Sequence, residues 1–465
     1  MNKIEKEKRP FGMADKIGYM FGDFGNDFLF VLASMFLMKF YTDVMEVPAV
    51  IVGAMMMLSK IVDAFTDIAM GQICDRSKTT SKGKFTPWIR RMSGPVALAS
   101  FLMYATWFRN MPMAFKVFWM FFTYLLWGSI CYTGINIPYG SMASAISLEA
   151  KDRTELSAWR TIGATLANLL IGVILPLVVY YKDQAGNSVL SGSKVTLASL
   201  VCSVCAVICY LFCYYLTTER VKIPQTTDKF QLLPVLKSLF TNRALIGIDI
   251  AAMILLLSRL TLNSIGNYIY PNYFGSAIGL SIATMTGSVL TLVIAAFIPK
   301  VVPRFGKKEI AVVASFIGSV MLIAAFIIRT RNMYVWLVMY TIAYSGIAIF
   351  DTVCWAMITD VIDDVEIQTG KRSDGTVYSV YSFARKLGQA LSSGLTGWLL
   401  TVIGYTAATA YDEKVINGIY DITCLVPAVG FILFTLTLVF IYPLGKKQVE
   451  ENVAKLKMKR DRSEE

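Results

Sequence analysis

Apolar residues dominate this chain in long blocks, and polar residues gather in short stretches between them. Blocks of ~20 apolar residues are the length an α-helix needs to cross a bilayer. Twelve such blocks are predicted, at 17–42, 47–73, 93–108, 117–140, 156–180, 195–216, 244–270, 277–299, 309–328, 333–358, 376–403 and 421–442. The third is short and extends naturally into Pro87-Trp88-Ile89. The pattern predicts an all-α membrane protein of twelve transmembrane helices, in two six-helix halves. The expected division is 1–216, a cytoplasmic middle loop at 217–243, 244–442, and a charged tail at 443–465. The middle loop holds FQLLPVLKSLF, an amphipathic stretch suited to the membrane surface, and the tail reads as a solvated, frayed helix.

Composition agrees. Of 465 residues, 55% are hydrophobic and 16% charged, with a mean hydropathy of +0.56. Soluble domains carry about 25% charged residues. Lys and Arg give the orientation, because cytoplasmic loops are enriched in both. Of 44 basic residues, thirty-two fall on one side of the twelve-span scheme, seven on the other and five inside spans. Both termini are therefore expected in the cytoplasm, at a bacterial cytoplasmic membrane. The formal charge of +12 follows from this bias and calls for no nucleic acid.

Absences narrow the chemistry. The chain has no His, which excludes Ser-His-Asp catalysis and His-ligated metals. No phosphate-binding G-x-x-x-x-G-K-[ST] loop occurs, so a pump with its own nucleotide site is excluded. The start is charged and runs into a long apolar block, so no cleavable signal peptide is expected. Four of the eight Cys, at 202, 205, 209 and 213, sit in an apolar helical stretch and read as packing residues. No enzyme chemistry and no cofactor are expected.

Ionisable groups inside spans need a reason, because a charge at mid-membrane costs ~2.5–3.5 kcal/mol on insertion scales. Span two carries Asp63, Thr66 and Asp67 at i, i+3 and i+4, on one face of a helix. Two acids one turn apart repel, and a bound cation or shared proton relieves them. Carboxylate and hydroxyl oxygens suit a hard cation. The alternative is a salt bridge to Lys60 near the membrane edge. Span one carries Asp23, Asn26 and Asp27; span four carries Tyr132, Thr133 and Asn136 on a shared face, suited to substrate or to interhelical hydrogen bonds. Arg160, Asp351 and Lys386, next to Arg385, lie in apolar surroundings, and a pairing of Asp27 with Arg160 or Lys386 is expected. Trp127, Tyr124, Trp159, Tyr378 and Tyr381 are candidates for stacking on sugar faces. A basic, Gly-containing turn follows the second span of each half, at Asp75-Arg76 with Lys82-Gly83-Lys84 and at Arg304-Phe305-Gly306-Lys307.

The segments KIGYMFGDFGNDF, KIVDAFTDIAMGQICDR, KGKFTPW, NIPYGSMAS, RTELSAWRTIGA, DVIDDVEIQTGKRSDG and YSFARKLGQALSSGLTGW carry a resemblance. In combination and order they resemble the glycoside–pentoside–hexuronide:cation symporters of the major facilitator superfamily, more the glucuronide-carrier branch than the melibiose carrier. The resemblance implies a twelve-helix fold with substrate bound between two halves, and sugar uptake driven by Na⁺ or H⁺. It places the cation at Asp63, Thr66, Asp67 and Thr133, with Asp63 and Asp67 as Na⁺ ligands if Na⁺ is the ion. It places the sugar at Asp27, Asn136, Arg160 and Lys386, and by neighbourhood at Asn26, Tyr132 and Asp351. Asp75 and Arg76 fall where such carriers gate. Asn136 stands where the melibiose carrier has an acid and Gly140 where it has a Trp, which argues against α-galactosides and leaves a glucuronide, a xyloside or a related glycoside open. A monomer in the lipid bilayer, with a small sugar and a monovalent cation as partners, is the expectation. A lipid or lysolipid carrier of the same fold and a non-transporting membrane sensor are the alternatives.

Overall fold

A computed structural model describes residues 9–147, 149–221, 242–369 and 374–464. Among these, twelve long helical segments follow one another. We number them helix 1 (Met13–Lys39), 2 (Ala49–Arg76), 3 (Thr86–Met103), 4 (Met113–Leu125, a π-helical turn at Leu126–Tyr132, then Thr133–Ile146), 5 (Ala150–Leu169, continuing to Val179) and 6 (Gly192–Leu216). Then come helix 7 (Arg243–Tyr268), 8 (Ile278–Phe305), 9 (Lys307–Ile328), 10 (Met333–Thr369), 11 (Asp374–Val402) and 12 (Glu413–Leu436). Ten are long and apolar enough to cross a membrane by length and composition; helices 3 and 11 are the two that fall short, with the charged Arg90-Arg91 and Arg385-Lys386 in their sequences. The third helix begins at Thr86, ahead of the expected span. The amphipathic stretch at 230–240 and the Tyr378 and Asp75 side chains lie outside the described residues.

The burial pattern is that of a molecule solvated by lipid. On helix 2, Leu58, Ile61, Val62, Phe65 and Ile73 are exposed, while Ser59, Asp63 and Met70 are buried. The acid-bearing face therefore turns inward, against helix 4. In water this would be inverted; in hydrocarbon the apolar face belongs outside and polar groups pair within.

The chain divides into two compact units, Met1–Asp183 with Val189–Lys229, and Gln184–Ser188 with Phe230–Glu465. In the first, helix 1 packs on helices 5 and 6, helix 3 on 6 and 4, and helix 2 on 4. In the second, helix 7 packs on 11 and 12, helix 9 on 12 and 10, and helix 8 on 10. The second scheme is the first advanced by six, the mark of internal repeats. Helix 1 comes close to its neighbours through small residues: a Cβ at Gly22 would overlap the Tyr139 ring.

Each unit is pinned at one end by a carboxylate, buried at Glu219 and half-buried at Glu309. The first backbone N–H groups of a helix have no partner within it. Glu219 supplies one at helix 3: its oxygens accept from the backbone N–H of Lys84 (2.7 Å), Phe85 (2.9 Å) and Thr86 (2.6 Å) and from the Thr86 hydroxyl (2.6 Å). Next to it, Arg220 donates to Asp15 at 2.8 Å. In the second unit, Glu309 accepts from the backbone N–H of Lys446 (2.9 Å), at the start of the tail helix Lys446–Glu464. The tail is thus not the solvated, frayed segment expected. Asn452 is buried and donates to Asp364 at 3.0 Å, and a polar anchor of that kind holds the helix down along one face.

Candidate functional site

The first unit contains two adjoining polar clusters. The π-helical turn Leu126–Tyr132 widens helix 4 where it faces helix 2; such turns occur often at functional sites. It sets two hydroxyls against the two acids of helix 2. Ser129 Oγ donates to Asp63 Oδ1 at 2.6 Å, and Thr133 Oγ1 donates to Asp67 Oδ1 at 2.7 Å. Lys60 Nζ donates to Asp63 Oδ2 at 3.0 Å, so the lysine contact weighed from the sequence is present. The ammonium also lies 5.6 Å from the Phe30 ring centroid and 5.9 Å from those of Tyr124 and Trp127. Thr66 is not turned into the cluster as a donor; its hydroxyl bonds back to the Asp63 carbonyl at 3.2 Å. Ser129 had no motif to betray it, since only the extra residue of the π-turn brings it round to Asp63.

The second cluster lies on helices 1, 4, 5 and 6. Arg160 Nε donates to Asp23 Oδ1 at 2.9 Å, and its guanidinium stands 5.5 Å from the Tyr139 ring centroid. This corrects the expected pairing of Asp27 with Arg160. Asp23 lies one helical turn N-terminal to Asp27 and takes the bond. Asp27 is half-buried, within electrostatic range of Asp23 and Arg160, with no hydrogen bond among the described residues. Asn26 is buried; it donates to Asn136 Oδ1 at 3.3 Å and accepts from the Tyr210 hydroxyl at 2.9 Å. Tyr132 lies against Phe30 (centroids 6.3 Å apart) and Trp127 (5.3 Å). Phe30 and Trp127 also flank Lys60, so one aromatic group separates the two clusters. Trp127 and Tyr124 are fully packed in it, which removes them as open sugar platforms.

The second unit holds a cluster of opposite balance. Arg259 on helix 7 is ion-paired with Asp351 on helix 10. Arg385 on helix 11 stands 5.8 Å from the ring centroids of both Trp355 and Tyr381. Tyr381 is buried, 2.9 Å from Cys354 Sγ through its hydroxyl. Lys386, the next residue, is half-buried; adjacent helical residues point about 100° apart, so it and Arg385 face different neighbours. Sequence reasoning passed over Arg259 as a possible site residue and missed Asp249. The latter is 4% exposed on helix 7, and among the described residues neither carboxylate oxygen is hydrogen-bonded. A lone acid in the run ALIGIDIAAMILLL was the available signal. Arg76 ends helix 2.

These features define a multi-pass membrane transporter of the major facilitator architecture, not an enzyme. The fold matches a mutant form of the nucleoside transporter NupG, with a TM-score of 0.67 at 13% identity, covering 92% of this chain and all of that one. Residues 18–446 match the family described as MFS/sugar transport protein, and the chain belongs to that family. It is similar to the uncharacterized symporter YjmB of Bacillus subtilis, 31% identical with 98% of this chain and 97% of the relative covered. It is also similar to the glucuronide carrier protein homolog of Escherichia coli, 30% identical with 95% and 94% covered.

Proposed function

We propose that this chain is a secondary active symporter that takes up a sugar or glycoside with Na⁺ or H⁺ by alternating access. The observation that carries the reading is the pair of acids one turn apart on helix 2, each held by a helix 4 hydroxyl at 2.6 and 2.7 Å. Oxygen donors from two helices, facing inward in a lipid-solvated bundle, have a clear use as ligands for a small hard cation or as proton acceptors. Asp63, Asp67 and Thr133 are the assigned cation ligands, with Ser129 added and Thr66 positioning the Asp63 backbone. Asp27, Asn26, Tyr132, Asn136 and Arg160 are assigned to the sugar, with Asp351 and Lys386 from the second half. Names of relatives, a symporter and a glucuronide carrier homolog, favour the same reading.

Coupling follows from shared parts. Helix 4 supplies Thr133 to the cation cluster and Tyr132 and Asn136 to the sugar cluster. A cation that draws Thr133 inward shifts both sugar ligands, and linkage makes the effect reciprocal. In this reading the working halves are 1–216 and 244–442, both termini are cytoplasmic, the membrane is the bacterial inner membrane, and Asp75-Arg76 gates the cytoplasmic side.

The test is uptake of labelled glucuronides, xylosides and galactosides into proteoliposomes under an inward Na⁺ gradient, an inward H⁺ gradient, or none. The expected result is accumulation of one sugar class under one gradient, lost in Asp63→Asn and in Asp67→Asn. Equal accumulation without any gradient would overturn symport, and no sugar accumulating at all would overturn the substrate class.

A further inference from the structure

We propose that Asp249, on helix 7, is a proton-binding site of the second half, separate from the helix 2 acids, loaded while its pocket is closed and unloaded when the packing around helix 7 opens. Its use in transport rests on the symporter reading; its occupancy by a proton does not. Asp249 is 4% exposed, and among the described residues neither carboxylate oxygen has a hydrogen-bond partner. It stands about 9 Å from the start of helix 7 at ~1.5 Å per residue, within the segment Arg243–Tyr273 that is apolar enough to span a membrane. Among the described residues no cation lies within its electrostatic range. The charges on the helices packed around it are engaged elsewhere or absent. On helix 10, Asp351 and Asp360 are ion-paired with Arg259 and Lys307, and Asp364 accepts from Asn452 and Gln368. On helix 11, Arg385 stands beside Trp355 and Tyr381. Helix 12 and its continuation carry no charged residue between 422 and 444.

The ligand follows from the surroundings. An enclosed carboxylate with neither a cation nor a hydrogen-bond donor beside it does not keep its charge, and a proton removes that charge. A metal ion needs several oxygen ligands, and no group of ligating side chains gathers here among the described residues. Loading moves a proton from hydronium to a carboxylate oxygen and leaves water; unloading is the reverse. Two exchangeable groups lead toward Asp249. Cys354 on helix 10 is within electrostatic range of it, and the Tyr381 hydroxyl of helix 11 is 2.9 Å from the Cys354 Sγ. Tyr381 also lines, with Arg259, Asp351 and Arg385, a recess with room for about one water molecule. A water there, the phenol and the thiol give a proton a polar route through apolar packing. Close packing of helix 7 on helices 10, 11 and 12 favours the neutral acid, whereas the charged acid needs water and favours an open pocket. Proton binding and packing within the second unit are therefore linked.

The experiment has two readouts. The first is the infrared carbonyl band of a protonated carboxyl group, recorded at neutral pH on the purified full-length chain. The difference between wild type and Asp249→Asn is expected to show that band. Identical bands in the wild type and a folded Asp249→Asn overturn the site. The second uses proteoliposomes and whichever labelled sugar the wild type accumulates. Asn imitates the loaded acid permanently, so the variant can carry sugar in both directions and cannot unload. Equilibrium exchange is expected within about twofold of wild type, while gradient-driven accumulation falls by about tenfold or more. Exchange and accumulation falling together, or neither falling, overturns the role of this proton in the cycle and leaves the symporter reading standing. No accumulation of any sugar by the wild type overturns the symporter reading, and the infrared band still decides the site. If Asn unfolds the chain, Asp249→Val, apolar and of similar volume, replaces it in both readouts.

Discussion

The two halves pack their helices by one scheme and fill it with opposite charge. In the first, Asp23 and Asp27 on helix 1 surround a single guanidinium, Arg160. In the second, Arg259 and Arg385 surround a single carboxylate, Asp351. Each of these two clusters pairs one charge with another and leaves one group over: Asp27, without a hydrogen bond among the described residues, and Arg385, beside two rings. An ion pair lets two charges reside together in a low-dielectric bundle. The leftover group has no such structural reason, and it is where a ligand has something to gain. The difference teaches that pairing marks the scaffold and the unpaired member marks the site.

That distinction makes its largest prediction at Asp23 and Asp27. Asp27→Asn should cut sugar uptake by roughly 10- to 100-fold, the value of one charged hydrogen bond to substrate (about 1.5–3 kcal/mol), while thermal stability holds. Asp23→Asn should do the reverse in part: Arg160 loses its partner, and the unfolding midpoint in detergent falls by several degrees. If Asp23→Asn left the midpoint unchanged and Asp27→Asn lowered it, the roles would have to be exchanged.

The next comparison is between the two end clamps. Glu219 accepts four hydrogen bonds from three consecutive residues at the start of helix 3. Glu309 accepts from the Lys446 N–H through Oε1, and its buried Oε2 has no partner among the described residues. Glu219→Gln turns one acceptor into a donor facing N–H groups, and should cost about 2 kcal/mol by loss of charge-assisted bonds. Glu309→Gln should cost under half as much. Chemical unfolding of the two variants side by side settles the ratio, and equal losses would show that bond count does not rank these clamps.

A smaller effect is expected at Lys60, which supplies Asp63 with a tethered ammonium 3.0 Å away. If the coupling ion must displace it, Lys60→Met should strengthen apparent cation affinity about fivefold, roughly 1 kcal/mol. Measured as the Na⁺ or H⁺ concentration for half-maximal uptake, a rise instead of a fall would make Lys60 part of the productive site.

Much of this was legible in the sequence, for a physical reason. The bilayer demands ~20-residue apolar runs, so helix number and order appear in composition alone. It also makes every internal charge conspicuous, so Asp27, Asp63, Asp67, Arg160 and Lys386 could be picked out singly. Partners could not. Asp23 and Asp27 share a face, and which one Arg160 meets depends on the axial offset of helices 1 and 5. Ser129 reaches Asp63 only through the π-turn Leu126–Tyr132, and no residue pattern announces that extra residue. The tail's docking likewise rests on the Lys446 N–H, Asn452 and Leu456, set among charges that read as solvated.

Asp249 sharpens the rule from the other side. Asp15, near the start of helix 1, is fully buried and satisfied: Arg220 and the Thr218 N–H donate to it at 2.8 and 3.0 Å. Asp249, near the start of helix 7, is also buried, and among the described residues both its oxygens are unbonded. An unsatisfied buried polar group costs about 1–3 kcal/mol. Asp249→Val removes that penalty at similar volume, so the unfolding midpoint should rise by about 2–4 °C. Asp15→Val should lower it, because Arg220 is then stranded. Uptake gives the second readout. If Asp249→Val is more stable and still transports, the acid is a leftover of the scaffold. If it is more stable and fails to transport, Asp249 joins Asp27 and Arg385 as an unpaired group kept for function.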